Sequence, residues 1–120
     1  MKLKGLDCDK VGTHISDWLK SYAEKAGSSG YVVGISGGVD SALTSSLCAR
    51  TGLRVICVQM PIHQAPDQLD RASEHIEKLK KNHVQVEERM FDLSPVFDQF
   101  SQTLSSEQSA QRELALANAR

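Results

Sequence analysis

The sequence predicts an α/β fold built as a parallel sheet with helices on both faces. Two observations and one connection rule predict it. Two short runs, "YVVGIS" from Tyr31 and "RVICVQMP" from Arg54, are apolar on both faces that a strand presents, the pattern of buried strands in a parallel sheet. Segments with helical periodicity precede, separate and follow them. Strands joined by helical crossovers lie parallel, and the connection is right-handed in nearly every case.

Val11, Ile15, Trp18, Leu19, Tyr22 and Ala26 recur at three- and four-residue intervals, one apolar face of a helix over residues 10–25. The Trp18/Tyr22 part of this stripe is expected in the core. "AGSSG" ends the helix with a glycine available as cap. The first strand, "YVVGIS", runs into "GISGGVDS", and residues 41–50 then have helical composition closed by "TGL". "RVICVQMP" is the second strand, ended by Pro61. Residues 66–81 form the clearest helix: Leu69, Ala72, Ile76 and Leu79 are its buried stripe. Asp67 and Asp70 near its start, and Lys78, Lys80 and Lys81 near its end, match the helix dipole. In "VQVEERMF", Val84 and Val86 alternate with polar residues, as in a strand nearer the sheet's edge. Ser94 and Pro95 read as N-cap and N1 of a short helix. Ser105 and Gln108 offer a capping box for a final helix over 105–120. The order is α-β-α-β-α-β-α-α. Three strands make a thin sheet and "ELALANAR" is still helical in pattern, so residues 1–120 are expected to be the N-terminal portion of one larger domain.

Composition bounds the function. With 24% charged residues and a net charge of −1, the chain has no polybasic surface of the kind that binds nucleic acid. No apolar run has the length of a membrane span, and the start "MKLKGLDCDK" is too polar for a secretory signal, so a cytoplasmic location is expected. Cys8, Cys48 and Cys57 lack CxxC spacing and are expected to be reduced thiols.

Ligands of an open parallel sheet lie at the carboxyl ends of its strands. "GISGGVDS" ends the first strand and "QMPIHQ" the second, so both belong to that edge. Gly34-Ile35-Ser36-Gly37-Gly38 matches the G-x-S-x-G nucleophile elbow, which needs an acid and then a histidine at later strand ends. Of His63, His75 and His83, only His63 falls at a strand tip. A Walker loop is excluded because no G-K-[ST] follows the glycines, and a dinucleotide fingerprint because Ser36 stands at its second glycine. A phosphate nest uses every residue. Ser36 and Ser41 supply hydroxyls, Gly37 and Gly38 leave backbone N–H groups unobstructed, and the helix from Asp40 aims its positive end at the same place. Asp40 beside a polyphosphate requires a divalent cation between them, which argues for Mg²⁺.

The pattern S-G-G-x-D-S after a first strand resembles the pyrophosphate loop of the N-type ATP pyrophosphatases, which cleave ATP between its α and β phosphates. The preceding amphipathic helix, "VICVQMP", "PDQLDRA" and "LALANAR" narrow the resemblance to the bacterial-type NAD synthetase family. It implies an adenine nucleotide α-hydrolase-like, Rossmann-like sheet. It implies ATP-dependent amidation of deamido-NAD to NAD through an acyl-adenylate, with AMP and pyrophosphate released and ammonia as nitrogen donor. Gly34, Ile35, Ser36, Gly37, Gly38, Val39, Asp40 and Ser41 would bind ATP, and Asp40 would hold Mg²⁺. Gln59, Met60 and Gln64 either border the adenosine or are ordinary strand-end and loop residues. The family's substrate arginine follows its helix Asn by four residues, which counted from Asn118 falls two beyond Arg120; Arg120 stands near that place. The second Mg²⁺ ligand and an ATP-contacting threonine follow a fourth strand, so the 120-residue chain alone is expected to have little or no synthetase activity. A homodimer is implied, and a separate glutaminase partner stays open; neither nucleic acid nor membrane is expected as a partner. The alternatives are another pyrophosphatase of this kind, such as a GMP synthetase or a tRNA-modifying enzyme, or a non-catalytic nucleotide-binding fragment. A tRNA enzyme would show a basic surface and CxxC pairs.

Overall fold

The computed structural model describes residues 7–105 and 116–117. Its elements run α1 (Cys8–Lys25), β1 (Gly30–Gly34), α2 (Val39–Ala49), β2 (Arg54–Gln59), α3 (Pro66–Asn82), β3 (Val86–Met90) and α4 (Ser94–Leu104). The α/β order expected from the sequence is therefore observed through α4. The expected final helix over 105–120 lies outside the described residues, apart from Ser105, which is the C-cap of α4, and Leu116 and Ala117, which are helical.

The strands form a parallel sheet in the order β1-β2-β3. With neighbours in chain order, two right-handed crossovers place α2 and α3 on the same face. The two-residue alternation of the strands turns Val33, Val55, Cys57 and Val86 toward them. There they pack with Cys48 and Ala49 of α2 and with Ala72, Ile76 and Leu79 of α3. That apolar burial is the main stabilisation of the fold. The opposite face carries Val32, which is 70% exposed, with half-buried Ile56 and Val58. β1 and β2 are apolar on both faces, but α1, α2 and α3 cover only one.

Helix α1 departs from its expected packing. Trp18 and Tyr22, expected in the core, are each 57% exposed and stack on one another with ring centroids 5.2 Å apart. The face that does pack is one residue round the helix: Gly12, Ser16, Leu19 and Ala23. Ser16 and Ala23 are buried, Leu19 packs on the core, and an added Cβ at Gly12 would meet the Arg50 guanidinium at 2.5 Å. Ser16 Oγ–H donates to Leu47 O (3.1 Å) and Tyr31 Oη–H to Leu19 O (2.7 Å). Small residues let α1 lie close against α2, where the large rings would hold the helices apart.

Cys48 and Cys57 are buried and Cys8 is exposed, all three as free thiols. Burial, with Cys48 and Glu88 as neighbours, pushes the Cys57 thiol up to about 11, and burial also raises Cys48. Since the thiolate is the reacting form, a thiol-specific chromogenic reagent at neutral pH is expected to titrate one cysteine in the native chain and all three in denaturant. Fast native reaction of a second thiol would contradict this packing. Among the described residues, no helix is long and apolar enough to cross a membrane.

Candidate functional site

The chain leaves β1 still in register, with Ile35 N–H donating to Val58 O at 2.8 Å, and then turns sharply. Gly37 makes the turn at φ +88°, and a Cβ there would lie 2.6 Å from Gln68 O. Glycine is thus required twice at one position, for the backbone angle and for the close approach of α3. Gly38 is the N-cap of α2 and carries no capping side chain, and the Ser36 and Ser41 hydroxyls bond within the loop rather than to the first turn of the helix. Gly38 N–H donates to Ser36 Oγ (3.1 Å) and Ser36 N–H to Ser41 Oγ (3.1 Å). The two hydroxyls are 3.1 Å apart, and Ser41 Oγ lies 3.3 Å from Gly38 O. When Ser41 donates to either oxygen within the loop, the Ser36 proton is free to point outward.

Gly38 N–H is therefore consumed inside the loop. The donors left for a ligand are the first-turn N–H groups of α2, which have no intrahelical partner, and the Ser36 hydroxyl. They gather at the carboxyl end of the sheet, at the positive end of α2. Asp40 is exposed in that first turn. Among the described residues no group of three or more His, Cys, Asp or Glu side chains could hold a metal ion. A lone carboxylate fits Mg²⁺, which is usually held by one or two carboxylates with substrate phosphates completing its shell.

The strand-2 residues divide. Met60 and Gln64 are exposed and, with Gly34, Ser36 and Val58, line a groove of about 300 Å³ beside the loop. They also border a neighbouring cavity of about 500 Å³ with Ile62, His63 and Phe97. Gln59 is only 1% exposed. Its parity on β2 matches Val55 and Cys57, so its side chain lies under α3, with Nε2 3.4 Å from both Ser73 Oγ and Glu88 Oε2. The loop beyond is clasped to α4. His63 adopts φ +48°, gives its N–H to Ser94 Oγ (3.0 Å) and sets its ring Nε2 2.7 Å from Asp98 Oδ1. Ser94 N–H in turn donates to Asp92, holding that carboxyl below the usual range.

On the other side of the loop, a groove of about 290 Å³ runs between it and α3, lined by Gly37, Gly38, Val39, Ala42, Arg71 and His75. Ser45 is fully buried beneath. It donates to Ser41 O (2.8 Å), so its oxygen accepts from His75 Nε2–H at 2.8 Å, which selects that tautomer. Burial first, and Lys78 second, push the His75 imidazole down.

Residues 11–120 match the family model described as NAD synthase. The chain belongs to the NAD synthase family. It is 35% identical over 105 residues to the NH(3)-dependent NAD(+) synthetase of Pyrobaculum aerophilum, covering 85% of this chain and 38% of that protein. The Methanosarcina mazei enzyme of the same name is 33% identical over 109 residues, covering 89% and 41%. This NAD synthase-family chain thus spans about two fifths of the length of those relatives. Among solved structures, NMN synthetase from Francisella tularensis superposes with a TM-score of 0.78 at 26% identity, over 96% of this chain and 47% of that one. The NH3-dependent NAD synthetase of Campylobacter jejuni superposes at 0.72 with 24% identity, over 90% and 46%, a likeness of fold.

Within this NAD synthase-family chain, the eight loop residues, Met60 and Gln64 come together at one edge, Gln59 turns away, and Arg120 lies outside the described residues. The sequence did not single out Arg71 or His75. Their signal was present: Gln68, Arg71 and His75 fall at i, i+3 and i+7, a polar stripe beside the apolar one at Leu69, Ala72 and Ile76.

Proposed function

We propose that this chain supplies the ATP-binding side of an AMP-forming ligase that amidates deamido-NAD to NAD. The observation that carries it is the loop itself: a glycine-forced turn whose Ser36 hydroxyl and α2 first-turn N–H groups converge where Met60 and Gln64 open a groove. The nicotinic-acid carboxylate attacks the α-phosphorus of ATP, the bond to the bridging oxygen breaks, and pyrophosphate leaves with its electron pair. Ammonia then adds to the acyl carbon of the adenylate, and AMP departs. The chain's own work is to bind and neutralise. The loop from Gly34 to Ser41 holds the leaving pyrophosphate with oriented donors already in place. Asp40 would hold Mg²⁺, which supplies positive charge against the phosphates. Met60 and Gln64 border the adenosine, and Arg120 is the candidate substrate contact. The working unit is a homodimer with ammonia as direct donor.

Titration calorimetry on the 120-residue chain is expected to show MgATP binding without AMP-forming turnover. No binding of MgATP would sink the assignment. Protein spanning the length of the relatives is expected to release AMP and pyrophosphate only when deamido-NAD and ammonia are both present. Dependence on the corresponding mononucleotide instead would move the acceptor toward the NMN synthetase likeness.

A further inference from the structure

The eight-residue loop carries a single ionisable side chain, Asp40, and it is an anion. A triphosphate brings about four more negative charges, and helix-end dipoles amount to roughly half a charge. A permanent cation within reach is therefore wanted, and among the described residues lining the two grooves beside the loop Arg71 is the one present.

Its placement is not incidental. Gln68 O sits only 2.6 Å from where a Gly37 Cβ would be, so the first turns of α3 press directly on the loop. Arg71 is one turn further along that contact and shares the groove with the backbone of Gly37, Gly38 and Val39. Its present partner is Asp67, at 3.4 Å, with both side chains more than half exposed. An exposed i,i+4 pair of that kind contributes little and is easily exchanged for a phosphate. His75, a turn beyond, is tied to Ser45 under the loop and fixes the register of α3 against α2. Guanidinium suits the task because its planar fork of donors matches phosphate oxygens.

We propose that the Gln68–Arg71–His75 stripe of α3 is a second wall of the phosphate site, and that Arg71 binds the terminal phosphates of ATP and the departing pyrophosphate. This rests on the loop being an ATP site. The test is calorimetric binding of inorganic pyrophosphate, MgATP and AMP to the chain and to Arg71→Gln and Arg71→Lys. Arg71→Gln is expected to weaken pyrophosphate and MgATP roughly tenfold, with AMP changed by less than about twofold. Arg71→Lys is expected to keep part of the affinity through its charge. Equal pyrophosphate binding by wild type and Arg71→Gln overturns the Arg71 assignment and leaves the loop assignment standing. A wild-type chain that binds neither pyrophosphate nor MgATP overturns the loop assignment, and Arg71 falls with it.

Discussion

Gly37→Ala is expected to abolish MgATP binding and to lower stability by about 2–4 kcal/mol. Two costs combine. An alanine at φ +88° is strained, and its Cβ would meet Gln68 O at 2.6 Å. Backbone atoms of a packed helix cannot yield as the tip of a flexible side chain would, so the loop must move. Moving it opens the Ser36–Ser41 pair and misaligns the first-turn N–H groups of α2. Gly52→Ala is the control. Gly52 also has a positive φ, +79°, but nothing lies within 4 Å of an added Cβ. Strain alone should cost it about 1 kcal/mol, with ATP binding intact. Urea denaturation and calorimetry on both variants separate the effects. A Gly37→Ala chain that binds MgATP like wild type would remove the loop from the site.

The loop was legible because its chemistry is local: glycines, hydroxyls and one acid within eight residues at a strand-to-helix junction. The order of elements was legible for a related reason, since strand and helix periodicities differ. What stayed hidden depended on contacts between elements. Trp18 and Tyr22 dominate the hydrophobic pattern of α1, yet the close packing belongs to Gly12, Ser16 and Ala23, whose virtue is their small size. In β2 the run "VICVQ" is apolar at both parities, so nothing in it says that Gln59 faces α3 rather than the groove. Burial of Gln59 also leaves its Oε1 without a partner among the described residues, a feature no spacing rule announces. Arg71 could be placed beside Gly37 only after the crossover between β2 and β3 had laid α3 along α2.

Asp40→Asn is expected to change ATP affinity with opposite signs in the presence and absence of Mg²⁺, and that sign change is what identifies a metal ligand. Asp40 lies in the first turn of α2, where a carboxylate is favourable to the helix dipole by about 0.3–1 kcal/mol. With phosphates at the same helix end, that charge becomes repulsive unless a cation sits between them. In metal-free buffer, asparagine removes the repulsion, and ATP should bind severalfold tighter. With Mg²⁺ at millimolar levels, asparagine removes an anionic oxygen from the metal's shell, and MgATP should bind about 10–100-fold more weakly. A purely structural role for Asp40 as a helix-start acid predicts something different. Its loss would then weaken binding equally in both buffers and lower the melting temperature by the small capping contribution. Calorimetry with ATP in chelator and in Mg²⁺, alongside thermal denaturation without ligand, distinguishes the two. Parallel losses in both buffers would assign Asp40 to the helix, and a sign change assigns it to the metal.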